Sequence, residues 1–491
     1  MEEKPPQKKE VPRSEESARK PAQPEAGGSQ SDEESAKAQD GQVAAGEKQE
    51  VAAERKEEKV DTAPKVKAIK TNFSAFETSG SAIAPEIIDQ LISDALEHRA
   101  SDVHIEPQPK IVEVRFRIDG VLYEVGKIPK QNYENILNRI KVQAHLRVDE
   151  HFSAQDGSLR HELAGNTIDI RVSIIPTIEG EKIVLRMLAI YVPNLSLSDL
   201  GILENDQQKL LKASKKPFGM VLAVGPTGSG KTTTLYALLK TFNIAEINLT
   251  TIEDPVEYKI AGANQIQVNL QTNLTFAKGL RSIVRQDPDI ILVGEIRDNE
   301  TAEIAVNAAL TGHLLFSTFH ANDAAASIPR LLDMGIEPFL LASTLEAIAA
   351  QRLVRKICEK CKYKKTTTAA DIDQILPGAS RFFSAKSFTS YAGKGCPSCA
   401  GKGYQGRTAI YEIVSITPEI EDLILKNPSS QAISQLARKQ GFRSLFEDGM
   451  EKVTNGITTP QELLRVASPP EIEHSLASHK TEAPGVKGKT Q

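Results

Sequence analysis

The run Gly225-Pro226-Thr227-Gly228-Ser229-Gly230-Lys231-Thr232 fits the pattern GxxxxGK[ST] at every required position. The apolar residues 220–224 before it predict a buried strand, and residues 233–242 after it predict a helix. A strand, a glycine-rich turn and a helix N-terminus are what a phosphate needs. The N–H groups of the turn point inward, and the helix dipole favours negative charge. Lys231 is placed to reach the β- and γ-phosphates of ATP, with Thr233 beside the loop and the Thr232 hydroxyl as a Mg²⁺ ligand. A chain built around this stretch is a nucleotide-binding motor or switch.

At 491 residues the chain has room for two to four domains. A net charge of −5 argues against general nucleic-acid binding. No apolar run approaches the ~20 residues of a membrane span. The first residues, Met1-Glu2-Glu3-Lys4-Pro5-Pro6, lead into no apolar stretch, so no secretory signal is expected and the protein reads as cytoplasmic. Residues 1–79 are largely Lys, Glu, Pro, Ala, Gln and Ser, with no aromatic before Phe73; such a segment is expected to be disordered, as are residues 468–491.

Between these tails the periodicity changes twice. In residues 80–188 an amphipathic helix carries Ile87, Ile88, Leu91, Ile92 and Leu96 at helical spacing. Strands follow in which Val114, Phe116 and Ile118 alternate with Arg115 and Arg117, and Ile170 and Val172 with Arg171. Residues 181–187 repeat this with Arg186, and residues 133–146 read as a helix. This predicts a small α+β domain whose sheet has one apolar face and one arginine-studded face. That face is either ordinary solvated surface or a set of guanidiniums aimed at phosphates. Residues 189–203 read as a linker, and an α/β motor domain is expected over 204–467. Here four apolar or β-branched runs end in chemically capable residues: the phosphate loop, Glu253-Asp254, Gly294-Glu295 and Phe319-His320. In a parallel α/β sheet ligands sit at the carboxyl ends of the strands, so all four are expected to meet at one nucleotide.

Each of these residues suits phosphoryl transfer, which needs charge neutralisation, a positioned water and exclusion of bulk solvent. Glu295 can polarise water or hold Mg²⁺ through water. Of Glu253, Asp254 and Glu257, one can help hold the metal or position water, and the others can equally be structural. His320 can contact a γ-phosphate, whereas His313 can serve merely to hold its loop. Arg281 and Arg285 share a helix face and can serve a phosphate or pair with acids. The four cysteines form two pairs, Cys358-x-x-Cys361 and Cys396-x-x-Cys399. This spacing fits a closed tetrahedral zinc site, with a thioredoxin-type redox pair as the other option. The zinc would shape a short, core-poor excursion over residues 356–402, whose Lys356, Lys360, Lys362, Lys364 and Lys365 either bind nucleic acid or solvate a small metal module.

Over about residues 80–467 the chain resembles the GspE/PulE and PilB assembly ATPases of type II secretion and type IV pili. The resemblance rests on Ser101-Asp102-Val103-His104-Ile105-Glu106-Pro107, Arg117-Ile118-Asp119-Gly120, Gln155-Asp156-Gly157 and the phosphate loop. It continues in Glu253-Asp254-Pro255-Val256-Glu257, which looks like the family's Asp box, and in Arg285-Gln286-Asp287-Pro288-Asp289. Gly294-Glu295-Ile296-Arg297-Asp298 looks like its Walker B, and Thr311-Gly312-His313 to His320 like its His box. Gln351-Arg352-Leu353-Val354-Arg355, Gly406-Arg407 and the tetracysteine complete it. The resemblance implies a RecA-like motor domain and a smaller PAS-like domain. It implies Glu295 as catalytic acid, Glu253 as an Asp-box acid, and Arg171, Arg186, Arg281 and Arg285 as groups that reach the nucleotide. It also implies a homohexamer at the inner face of the cytoplasmic membrane that drives a membrane platform protein. A nucleic-acid-stimulated translocase is the alternative from another class; a retraction motor fits less well, because the tetracysteine belongs to the assembly branch. Two features depart from the family: a polar tail stands where a folded docking module is usual, and Phe319 and Ala321 replace the usual Leu and Thr of the His box.

Overall fold

A computed structural model describes residues 86–163, 166–188, 195–383 and 386–469. All lie in one compact unit, Lys65–Gln491. The tails expected to be disordered, apart from residues 468–469, and residues 189–194 of the linker lie outside the described residues.

The first sheet is antiparallel throughout. Helix α1 (Glu86–Glu97) leads into β1 (Ala100–Pro107), β2 (Ile111–Ile118) and β3 (Val121–Pro129); α2 (Lys130–Gln143) is followed by β4 (Gln155–Leu163), β5 (Asn166–Thr177) and β6 (Gly180–Met187). The six strands lie in the order β3-β2-β1-β6-β5-β4. Strict alternation explains the burial. Val112, Val114, Phe116 and Ile118 of β2 are buried under α1 and α2, while Arg115 and Arg117 lie on the other face. Helix α2 begins three residues before its first apolar position, because Pro129 sets the entry; it ends before His145, whose φ of 58° is left-handed.

On the polar face Asp102, His104 and Glu106 alternate along β1 and gather the bases of neighbouring strands. Asp102 holds Arg186 at 2.9 Å and Arg117 at 3.6 Å. Glu106 holds Arg115 and, at 2.5 Å, Lys182. His104 sits between them, 3.9 Å from Glu106. Burial pushes its pKa below the ordinary imidazole value; Glu106 and Asp102 raise it, and Arg117 and Lys182 lower it. The unfolded chain therefore takes up this proton at a higher pH than the folded one, and stability falls as pH drops below about 6.5 toward the folded value. We expect the melting temperature to fall between pH 7 and pH 5.5, and to fall less in His104→Gln. Equal slopes in the two proteins would refute this.

The second sheet holds the phosphate loop. In chain order its elements are α3 (Glu204–Ser214), β7 (Gly219–Val224), α4 (Lys231–Leu239), β8 (Leu249–Glu253), β9 (Asn264–Gln267), α5 (Phe276–Ile283), β10 (Ile290–Ile296), α6 (Asn299–Leu310), β11 (Leu314–Phe319), α7 (Ser327–Asp333), α8 (Pro338–Thr344) and β12 (Leu345–Ile357). Then come β13 (Lys362–Thr368), α9 (Ala369–Ile375), β14 (Ser387–Gly393), β15 (Tyr404–Ser415), α10 (Pro418–Ile424), α11 (Ser430–Lys439), α12 (Leu445–Thr454) and α13 (Pro460–Val466). The sheet order is β15-β12-β7-β11-β10-β8-β9, parallel except for β15, with β13 and β14 paired apart. Strand β7 is buried on both faces: Met220, Leu222 and Val224 enter one core layer, and Val221 and Ala223 the other. Helix α4 starts at Lys231, two residues earlier than its apolar pattern suggests, because Gly230 at φ 88° turns the chain straight into it.

The cysteine-bounded region differs from the expected core-poor excursion. Ile372, Ala379 and Phe383 are buried with Phe446 and Leu445 of α12. Phe383 stacks on Phe388 at 5.3 Å and meets the Phe446 ring edge-on at 6.0 Å. Phe383, backed by Phe388, thus seats this region on α12.

Candidate functional site

Strand β7 delivers the loop, and glycine makes its path possible. Gly225, Gly228 and Gly230 have φ of 146°, 76° and 88°, where side chains are strained. The Lys231 ammonium donates to the Gly225 and Pro226 carbonyls at 2.9 and 3.1 Å. Burial pushes its pKa down, while the Glu295 charge opposes the shift. Thr232 and Thr233 are half-buried in the first turn of α4.

Glu295 reaches the site through a bulge. Val293 pairs with Ser317, yet Ile296 pairs with Phe319, so β10 carries one residue more than β11 here. Two bonds pin the distortion: Ser317 Oγ to the Val293 carbonyl at 2.9 Å and Thr318 Oγ1 to the Gly294 carbonyl at 2.7 Å. A Cβ on Gly294 would lie 3.1 Å from Glu253 Cα, so the strand passes close only because this residue is glycine. The Glu295 carboxylate then meets Arg297 at 2.6 Å and His320 Nε2 at 3.4 Å. Burial and the Lys231 charge push the His320 pKa down and Glu295 raises it, leaving it below the ordinary imidazole value. Lys231, Glu295 and His320 therefore converge at the carboxyl ends of β7, β10 and β11.

The other sequence-derived candidates take different positions. Glu253 ends β8 but is buried, and its carboxylate accepts hydrogen bonds from Tyr236 Oη, from Thr251 Oγ1 at 2.6 Å and from Gln265 Nε2 at 3.3 Å. Asp254 and Glu257 are exposed in the loop that follows. Arg171 of β5 feels both of them: burial lowers its pKa, Glu257 and Asp254 raise it, and Arg186 lowers it. Arg186 stands opposite Arg171 in the β5–β6 register and is held by Asp102. Arg281 pairs with Glu300 at 2.7 Å, and Arg285 donates to the Arg281 carbonyl at 2.7 Å. The neighbouring Gln286 carbonyl accepts from Asn248, which precedes β8, so Arg285 lies at the amino end of the sheet, away from its own phosphate loop. His313 precedes β11 and its Nδ1 lies 2.8 Å from the Ala308 carbonyl, at that same end.

Three participants have no individual role in the sequence reading: Arg297, Tyr236 and Gln351. Arg297 and Gln351 lie inside recognised motifs. Tyr236 shows its importance only once folding brings α4 against β8.

The cysteines meet as well. Cys358–Cys396, Cys361–Cys399 and Cys396–Cys399 have Sγ–Sγ distances of 3.8, 3.9 and 3.8 Å, and all four sulfurs lie within 4.8 Å of one another. A zinc bound at about 2.3 Å by four sulfurs sets a tetrahedral edge of about 3.8 Å, so the set fits zinc. The Cys396 and Gly403 N–H groups each donate to Cys399 Sγ at 3.2 Å. Burial pushes that thiol's pKa up, but these donors and the neighbouring thiols outweigh it and bring it to about 7, whereas burial raises the Cys358 and Cys361 thiols.

A family model described as "Type II/IV secretion system protein" matches residues 77–465. The chain is 45% identical over 382 residues to type II secretion system protein E of Pseudomonas aeruginosa, covering 77% of this chain and 74% of that one. It is 43% identical over 385 residues to the type IV pilus assembly ATPase PilB of Myxococcus xanthus, covering 78% and 68%. In fold it is similar to the ATPase DotB of Legionella pneumophila, with a TM-score of 0.58 at 20% identity, covering 79% of this chain and 97% of that one.

Proposed function

Because the chain belongs to the type II/IV secretion system protein family and is a secretion or pilus ATPase, we propose that it hydrolyses ATP at the ends of β7, β10 and β11 to drive pseudopilus extension or pilus assembly. The observation that carries this reading is the convergence of Lys231, Glu295 and His320 at one glycine loop. Relatives from both machines match at 43–45% identity, so the proposal covers both.

In the proposed reaction the nucleotide phosphates enter the cradle of loop N–H groups, and the Lys231 ammonium exchanges its carbonyl partners for phosphate oxygens. Thr232 would hold Mg²⁺, which neutralises phosphate charge. Glu295 orients the attacking water and takes its proton as the bond to the γ-phosphorus forms and the bond to the β–γ bridging oxygen breaks. ADP and phosphate leave. Neutral His320 fixes the Glu295 carboxylate and senses the γ-phosphate. Glu253 holds the floor of the site through Tyr236, and Arg171, Arg186, Arg281 and Arg285 serve nucleotide from domain or subunit neighbours in a homohexamer. The inferred partner is a platform protein at the inner face of the cytoplasmic membrane; among the described residues no helix is long and apolar enough to cross a membrane. The four cysteines hold zinc. In this reading residues 80–188 and 204–467 act as two domains, the moving parts of the motor.

Lys231→Ala should abolish ATP binding and phosphate release by the purified chain. Retention of wild-type ATP affinity in that variant would defeat the reading.

A further inference from the structure

We infer that Gln351, on the strand beside the phosphate loop, is a positioning residue that aims the loop's N–H groups at the phosphates. Strand β12 runs parallel to β7, and its Ala350 pairs with Val224, the last residue before the loop. Gln351 comes next and is buried, with its Nε2 donating to the Ser229 carbonyl at 2.6 Å. A carbonyl can only accept, so this contact identifies the amide nitrogen.

The consequence follows from peptide geometry. The Ser229–Gly230 peptide is planar and trans, so its carbonyl and its N–H point in opposite directions. Holding the Ser229 carbonyl against β12 turns the Gly230 N–H away from β12. Without the tether this peptide is free to rotate, because Gly228 and Gly230 flank Ser229 and both occupy left-handed conformations open to glycine. The strand also closes off other paths. A Cβ at Gly225 would lie 2.6 Å from the Gln351 carbonyl, and one at Gly230 would lie 3.0 Å from its Nε2 and 3.6 Å from Leu353. The loop is thus moulded on β12 at both ends. Preorganised donors bind phosphate more tightly because their ordering cost is met on folding.

This inference rests on the phosphate loop holding ATP, and the experiment separates the two claims. The full chain is titrated with a fluorescent ATP analogue, its kcat and KM for ATP are measured, and its melting temperature is recorded without nucleotide. Gln351→Met keeps the length and removes the donor. Gln351→Glu keeps the shape and presents an acceptor to the Ser229 carbonyl. Gln351→Met should raise the nucleotide Kd roughly three- to tenfold, as expected for one lost hydrogen bond, with KM rising more than kcat falls. Gln351→Glu should bind weakly at pH 8 and recover, relative to wild type, as pH falls and its carboxyl becomes a donor. Unchanged Kd in Gln351→Met with a lowered melting temperature would make the residue merely structural and overturn the inference. Failure of the wild-type chain to bind nucleotide would remove both claims.

Discussion

Glu295→Gln should cut ATP turnover sharply while leaving ATP binding intact. The amide has the size and shape of the carboxylate, so the bulge between Val293 and Ile296 and its two hydroxyl pins are undisturbed. What is lost is the negative charge and the ability to take a proton. A positioned general base contributes about 10²- to 10⁴-fold, so kcat should fall at least about 100-fold with the nucleotide Kd within a few-fold of wild type. Loss of the carboxylate also frees Arg297, now 2.6 Å from Glu295, and removes the charge that opposes the lowered Lys231 pKa. Phosphate release and nucleotide titration on the same preparation read the two effects apart. Turnover near wild type would show that another group activates the water and would overturn this role for Glu295. In cells the same variant, expressed at the native locus, should lose surface filaments if the motor builds a pilus. Persisting filaments with failed export would assign it to secretion.

How far the sequence alone carries depends on whether a feature is local. Strands β2, β5 and β6 are legible because their apolar residues alternate, and β7, β8, β10 and β11 because they are apolar or β-branched runs, while the glycines of the loop state their own conformations. Glu295 and His320 are legible as strand-end residues because parallel strands share one carboxyl edge. The fate of Glu253 is not: its burial depends on Tyr236 and Gln265, which lie 17 and 12 residues away along the chain. Helical spacing places Arg281 and Arg285 on one face, but only the antiparallel run of α5 against its strands shows that Arg285 ends at the opposite edge from the loop. Gln351 reads only as one residue of the Gln351–Arg355 motif until β12 is paired with β7. In the cysteine-bounded region the phenylalanines are visible in sequence, whereas their seat on Phe446 is made by residues more than 50 positions downstream.

Loss of zinc should loosen the contact between the two sheets before it touches the nucleotide site. Strand β12 ends at Ile357 and Cys358 follows directly, while Lys402, Gly406 and Arg407 flank the second cysteine pair on its way into β15. These flanking residues grip the β2–β3 turn. The Gly406 N–H donates to Asp119 at 3.1 Å, Arg407 lies 3.9 Å from the same carboxylate, and Lys402 sits over the Tyr123 ring at 5.5 Å. Arg355, three residues before Cys358, reaches Tyr123 Oη at 3.3 Å and is anchored by Glu462 at 2.8 Å. Cys396→Ser breaks the tetrahedral set and releases the Lys402–Arg407 side of this grip; the Arg355–Glu462 anchor belongs to the motor and stays. The phenylalanine seat on α12 keeps the intervening segment attached, so the loss is partial and should lower the melting temperature by on the order of 5 °C. Zinc content should fall from one ion per chain to near zero, protease should cut near residues 396–403, and ATP affinity should remain close to wild type because Lys231 and Gln351 make none of these contacts. Turnover should fall further than affinity, since Arg171 and Arg186 ride on the sheet that has come loose. A wild-type chain without bound zinc, or a Cys396→Ser protein with unchanged melting and cleavage, would show that the four sulfurs hold nothing the fold depends on.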